Sequence, residues 1–263
     1  MPTAQLPGDL LMHYEDDDFS PPWGKPETVI LQHGQARNAS MWYGWTPHLA
    51  KDYRVIRTDA RGFGQSSVPP PRTFKWSLEA LADDIANLMD HLGIEKTHII
   101  GEVAGGAIAL QFAYQYPERT LSVATCSSPF RFRGDPTYMG YHRFVSENGI
   151  EAWGKVQGEQ NGGDYGLWYG QQMGKTTQHV VLETLEALSQ VDLTPTLPLI
   201  KTPSLVMVGK EDTQRHHDRA NEMASLLANC TLVEVDGGYR AHHLSAEKYV
   251  AAWKDWVKSL PAR

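Results

Sequence analysis

The chain has 263 residues, of which 41% are hydrophobic and 21% are charged, and its formal net charge at pH 7 is −7. This composition is typical of a folded globular protein and excludes intrinsic disorder. Because the sequence contains no cluster of Lys or Arg and no apolar run of about 18 residues, we expect neither nucleic-acid binding nor a membrane-spanning helix.

Two features of the sequence bear on the cellular compartment in which we expect the protein. The N-terminal stretch lacks the basic and apolar regions of a secretory signal. Cys126 and Cys230 are far apart in the sequence and resemble small buried apolar residues rather than a disulfide pair. We therefore expect a cytoplasmic protein.

Strand and helix patterns alternate along most of the chain. Runs of β-branched residues predict strands, and apolar residues spaced three or four apart predict helices. In chain order these are strand 28–32, helix 40–50, strand 53–58, helix 77–92, strand 96–101, helix 104–116, strand 121–129, strand 204–209, helix 219–230, strand 231–238 and helix 246–259. Such alternation predicts a mostly parallel sheet with helices on both faces.

Residues 130–200 interrupt the alternation. This segment shows no convincing strand and is rich in Gly, Tyr, Trp and Gln. We expect residues 1–129 and 201–263 to form one α/β core domain, and residues 130–200 to form a helical lid above it.

Four segments resemble the α/β-hydrolase fold superfamily. They are the HGQ loop at 33–35, DARGFGQSS at 59–67, the strand, turn and helix at 98–129, and TPSLVMVGKED at 202–212. The resemblance implies a mostly parallel central sheet flanked by helices. The segments 13–23 and 192–203 are most similar to the esterase, enol-lactonase and C–C hydrolase group.

The sequence departs from this family where its chemistry resides. The family's nucleophile motif is G-x-S-x-G, whereas this chain has Gly101-Glu102-Val103-Ala104-Gly105. The family's histidine position falls on Arg240 or Tyr239. Since valine cannot attack a carbonyl, we expect no acyl-enzyme intermediate.

The remaining polar groups suggest a non-covalent acid/base site. The backbone N–H groups near Gln35 and Ala104 would form the oxyanion hole that the resemblance implies. Arg240 would bind a carboxylate or enolate, and either His242 or His243, held by Asp212, would move the proton. Only one of these histidines is expected to face the site, because neighbours on an extended segment point in opposite directions.

Glu102 is a further catalytic candidate, although a supporting role would also account for it. The predicted substrate-binding residues are His33, Val103, Trp153 and Trp168.

Two other motifs predict no cofactor. His216 and His217 do not have the spacing of a known metal motif, so we expect them to face solvent and expect no metal. The G-x-G within 61–65 lacks the third glycine and following helix of a dinucleotide site.

Three functions remain open at this level. The leading hypothesis is a cofactor-free enzyme, a lyase, decarboxylase or hydrolase, acting on a small apolar or aromatic carbonyl compound or carboxylate. The alternatives are an inactive hydrolase scaffold that binds a small ligand, and a conventional ester or lactone hydrolase whose nucleophile lies elsewhere, such as Ser40, Ser127 or Ser128. The sequence does not determine the oligomeric state.

Overall fold

The centre of the structure, a computed structural model that describes residues 2–261, is an eight-stranded sheet. Its spatial order is β1-β2-β4-β3-β5-β6-β7-β8. The β1/β2 and β2/β4 pairs are antiparallel, and all the others are parallel. The strands are β1 (Thr3–Leu6), β2 (Leu10–Asp17), β3 (Thr28–Gln32), β4 (Arg54–Thr58), β5 (Thr97–Glu102), β6 (Thr120–Cys126), β7 (Ser204–Gly209) and β8 (Cys230–Val235).

Helices cover both faces of the sheet. They are α1 (Thr46–Leu49), α2 (Leu78–His91), α3 (Ala104–Gln115), α4 (Pro136–Asn148), α5 (Ile150–Asn161), α6 (Gly163–Gly174), α7 (Gln178–Leu188), α8 (Gln214–Leu226), α9 (Ala241–Leu244) and α10 (Ala246–Ser259). No helix in the described part of the chain combines the length and apolar character needed to cross a bilayer.

The core forms two layers because successive residues of a buried strand face opposite sides. Ile30 and Ile99 pack in the layer that contains α2 and α3. Leu31 and Ile100 pack in the other layer, with Trp253 of α10. The continuous apolar runs of β3 and β5 follow from burial on both faces.

The six predicted strands are present as β3 to β8, and β1 and β2 are added at one edge. The helix predicted over 40–50 is divided into a 3-10 turn at Ala39–Trp42 and the short α1. The helix predicted over 219–230 begins five residues earlier, at Gln214. This earlier start alters the candidate site.

Between residues 130 and 200 the chain forms the four helices α4 to α7, and its two ends meet. Arg131 and Asp192 form an isolated antiparallel bridge, and Leu193 N–H donates to the Phe130 carbonyl at 2.9 Å. Helices α5 and α6 approach closely, since a Cβ on Gly154 would lie 2.5 Å from the Gly170 carbonyl oxygen.

Candidate active site

A sharp turn joins β5 to α3 at Val103, which has φ 47° and ψ −120°. The turn is tight on both sides. A Cβ on Gly101 would lie 2.3 Å from the Gly105 carbonyl oxygen, and one on Gly105 would lie 2.4 Å from the Gln32 and His33 carbonyl oxygens. A positive φ at a β-branched residue is a conformational outlier, and such strain costs about 1–3 kcal/mol. The rest of the fold therefore holds Val103 in this position.

Val103 and Ala104 line a cavity of about 390 Å³ between the carboxyl ends of the strands and the helices of segment 130–200. Ala104 begins α3, so its N–H has no partner within the helix. Gln35 also lines the cavity, and its side chain donates to Thr184 Oγ1 at 2.5 Å. The residues predicted for an oxyanion hole therefore lie at one cavity.

The aromatic wall of the cavity comes mainly from segment 130–200. It consists of Tyr138, Tyr141, Trp153, Tyr169 and, from the loop after β8, Tyr239. Two of the predicted substrate-binding residues, Val103 and Trp153, line the cavity.

The other two predicted substrate-binding residues, His33 and Trp168, do not line it. The ring of Trp168 packs against Tyr43, with centroids 5.4 Å apart. His33 is buried and is bound to the Gly34 carbonyl and the Ala60 N–H. Burial lowers the pKa of His33. His33 therefore supports the backbone and faces a separate apolar cavity of about 40 Å³.

Glu102 is at the centre of a buried cluster beneath the turn. One carboxylate oxygen accepts the Gly34 N–H at 3.1 Å. The other lies 2.8 Å from Arg37 Nη1, 2.9 Å from His242 Nε2 and 2.8 Å from His243 Nε2. The expectation that only one histidine could point inward is wrong, because residues 241–244 form the helical turn α9 rather than an extended segment.

The cluster is balanced in charge. Burial acts to raise the pKa of Glu102, but Arg37 together with His243 and His242 holds it well below the usual value. Burial lowers the pKa of His242 to about 3 and also lowers that of His243. At neutral pH the cluster thus contains one carboxylate, one guanidinium and two neutral imidazoles.

Glu102, His242 and His243 could together bind a metal ion, because the ligand atoms that they offer lie within 4.8 Å of one another. Glutamate with two histidines is a suitable donor set. However, Arg37 Nη1 is 2.8 Å from the same carboxylate oxygen. A divalent cation there would stand beside a buried positive charge, so the arrangement fits an ion pair better.

Asp212, after β7, does not contact His242 or His243 as predicted. It binds His216 Nδ1 at 2.5 Å and also accepts from the Thr213 N–H and the Ser127 hydroxyl. Burial acts to raise the pKa of Asp212, but the His216 bond and the other donors lower it overall.

His216 was expected to face solvent, and this was wrong. Because α8 begins at Gln214, His216 lies in its first turn and lines the cavity. Its ring stacks on Tyr239, with centroids 4.7 Å apart. Only 20% of its side chain is exposed. A histidine that a buried aspartate orients therefore stands at the cavity wall.

Arg240 lines the cavity as predicted and is 8% exposed. Its Nε donates to Asn161 at 3.0 Å, and its Nη1 is buried with no hydrogen-bond partner among the described residues. The guanidinium lies 4.0 Å from the Tyr239 ring centroid and 4.8 Å from that of Tyr169. Since no carboxylate of residues 2–261 pairs with this buried cation, it is a suitable place for an anionic ligand.

The cavity is also lined by three arginines that were not predicted from the sequence: Arg37, Arg215 and Arg219. Arg215 and Arg219 both bind Asp135, whereas Arg37 binds Glu102. In the sequence, these residues are marked only by their positions: Arg37 follows the HGQ loop, and Arg215 and Arg219 lie close to His216 and His217.

Comparison with known proteins agrees with this architecture. A family model described as the alpha/beta hydrolase fold matches residues 27–146. The enol-lactonase of Burkholderia xenovorans has a TM-score of 0.87 at 24% identity, over 98% of this chain and 100% of that one. A thermophilic esterase from Thermogutta terrifontis has a TM-score of 0.85 at 24% identity, over 98% of both chains. The protein has the α/β-hydrolase fold, which confirms the fold prediction.

Among relatives by sequence, the 2-hydroxy-6-oxo-6-phenylhexa-2,4-dienoate hydrolase of Comamonas testosteroni is 38% identical over 42% of this chain and 37% of that enzyme. The chain spans about a third of the length of several curated relatives that it matches. Several of the relatives by sequence are named as hydrolases.

Proposed function

We propose that this protein is a cofactor-free enzyme that acts on a small carbonyl compound bearing a carboxylate, by acid/base chemistry without an acyl-enzyme. The observation that carries the proposal is the Asp212-bound His216 in the wall of the cavity that Val103 lines. Helices α4 to α7 would act as the lid over this cavity, and residues 1–129 and 201–263 as the core domain.

His216 would move the proton. Asp212 occupies Nδ1, which leaves Nε2 available to take or return a proton. This replaces the predicted role of His242 and His243, which are bound to Glu102 and do not line the cavity. A correctly placed general base contributes about 10²–10⁴-fold to a rate.

Arg240 would bind the substrate anion, and the backbone N–H groups of Ala104 and Gln35 would stabilise negative charge on a carbonyl oxygen. One oxyanion-hole donor contributes about 3–4 kcal/mol where it has been measured. The tyrosines and Trp153 suit an apolar or aromatic part of the substrate.

The name of the Comamonas relative describes a phenyl-bearing oxo acid. A compound of that class would place its carboxylate on Arg240, its ring against the tyrosines and its carbonyl near Ala104. With the Val103 side chain in the turn, proton removal, C–C cleavage or attack by a base-activated water are the reactions that these groups support.

The test compares His216→Gln with the matched control His217→Gln. His217 lies beside His216 on α8, binds Glu234 and does not line the cavity. A panel of β-keto acids, vinylogous acids and lactones should give turnover in the wild type that falls at least about 10²-fold in His216→Gln. The control should retain it. Equal rates in both variants would remove His216 from the mechanism.

A second candidate is a serine hydrolase that uses Ser127. Its hydroxyl lies 3.3 Å from Asp212 Oδ2, and Ser127 lines the cavity with φ 46°. Labelling with a fluorophosphonate decides between the two. Stoichiometric labelling that disappears in Ser127→Ala favours this candidate, and an unlabelled but active protein favours the first.

A further inference from the structure

Arg37 connects the buried cluster to the cavity wall. Its Nη1 is 2.8 Å from Glu102, and its Nε and Nη2 donate to the Tyr169 hydroxyl oxygen at 2.9 and 2.6 Å. Arg37 is 4% exposed. Glu102 thus holds the Arg37 guanidinium in place, and that guanidinium in turn holds the hydroxyl of Tyr169.

These two hydrogen bonds determine the direction in which the O–H of Tyr169 can point. A guanidinium has only donors, so Tyr169 is the acceptor in both bonds. The hydroxyl's two lone pairs are then occupied, and its own O–H must point away from Arg37. Within residues 2–261 this hydroxyl donates to no protein acceptor.

The two cations near Tyr169 favour an anionic oxygen as the partner of this donor. Tyr169 lines the same cavity as His216 and Arg240. Its ring centroid lies 5.3 Å from the Arg37 guanidinium and 4.8 Å from that of Arg240. Two donated N–H bonds polarise the phenol and strengthen its O–H as a donor.

We propose that Tyr169 is a catalytic residue whose hydroxyl donates a hydrogen bond to the substrate oxygen on which negative charge develops. Arg37 and Glu102 are positioning residues that set the direction of this bond. The inference rests on the proposed function for the reaction itself. When His216 removes a proton from the substrate or from water, charge moves to the carbonyl oxygen, and the phenolic proton remains on Tyr169 while stabilising it.

The first test measures binding of benzoate by calorimetry and needs no turnover, because a charged oxygen of benzoate stands in for the substrate oxygen on which negative charge develops during the reaction. The variant is Tyr169→Phe. The matched control is Tyr165→Phe, which lies one turn earlier on α6, loses its bond to His243 and does not line the cavity. A hydrogen bond to a charged group corresponds to a loss of affinity of roughly ten- to a hundred-fold. We expect this loss in Tyr169→Phe and an unchanged affinity in Tyr165→Phe.

If Tyr169→Phe is too unstable to assay, a second variant with a smaller change tests the same hydrogen bond. Replacing Tyr169 with 3-fluorotyrosine keeps the phenol and its size but makes the hydroxyl a stronger donor. Benzoate should then bind more tightly, whereas a merely structural hydroxyl would give weaker or equal binding.

The outcomes separate the two proposals. Equal benzoate affinity in the wild type and Tyr169→Phe overturns the role of Tyr169, as does a wild type that binds no benzoate at millimolar concentration. Tyr169-dependent binding without turnover of any carbonyl acid supports the donor but contradicts the proposed function. Where turnover is found, Tyr169→Phe should lower kcat with little change in KM.

Discussion

The substitution Glu102→Gln tests the buried cluster most directly. It preserves the side-chain shape and an acceptor for the Gly34 N–H but removes the negative charge that faces Arg37. Both side chains are almost fully buried, at 0% and 5% exposure. The substitution would leave a guanidinium in the interior with no counter-charge.

The distance between the two groups sets the scale of the effect. At 2.8 Å and an effective dielectric constant of about 20, the Coulomb attraction is about 6 kcal/mol. Removing one partner of a buried pair typically costs 3–5 kcal/mol. For a chain of this size, such a loss lowers Tm by about 6–20 °C.

The assay is equilibrium unfolding in urea together with thermal melting. The control is Asp16→Asn, which breaks the Arg54–Asp16 pair at 2.7 Å, where both side chains are about 30% exposed. A pair of this kind contributes at most about 1 kcal/mol. The double variant Arg37→Met/Glu102→Gln should recover part of the loss, because no uncompensated charge remains. If Glu102→Gln costs no more than Asp16→Asn, the interpretation of the cluster as a buried ion pair is refuted.

Two further predictions concern pH and the turn. Because burial lowers the pKa of His242 to about 3 from 6.5, the unfolded chain binds a proton that the folded chain does not between these values. Stability should therefore rise with pH across this window, and His242→Gln should reduce the slope by up to about 1.4 kcal/mol per pH unit, as measured by urea unfolding at several pH values. Gly105→Ala should prevent folding or cost several kcal/mol, because its Cβ would lie 2.4 Å from the Gln32 and His33 carbonyl oxygens. The control Gly140→Ala, in α4 with open space around it, should stabilise the protein by roughly 0.5–1 kcal/mol, and a Gly105→Ala protein with an unchanged Tm would contradict the close packing of the turn.

Local sequence patterns were sufficient for the elements that the core buries. The apolar runs predicted β3 to β8, and Ser77 and Gly93 indicated where α2 begins and ends. These signals are strong because strands buried on both faces and amphipathic helices leave a regular pattern in the sequence. The first two strands, β1 and β2, were missed.

The site was predicted only in part. The glycine pattern of a sharp turn after a buried strand placed Val103 and Ala104, and the resemblance to the α/β-hydrolase family placed Gln35 and Arg240 at the same cavity. It paired Asp212 with the wrong histidines. The earlier start of α8 brings His216 to Asp212, and the local signal of that start, Thr213 at the N-cap position, was not recognised.

The sequence by itself determined the order of strands and helices and the valine at the turn, since both depend on residue types at short spacing. Only the tertiary structure decided which charged groups meet. Glu102, Arg37 and the adjacent pair His242 and His243 come from three distant parts of the chain. They converge because the sheet and α9 bring their side chains to one buried position. At such a point, burial makes each partner's charge and pKa depend on the others.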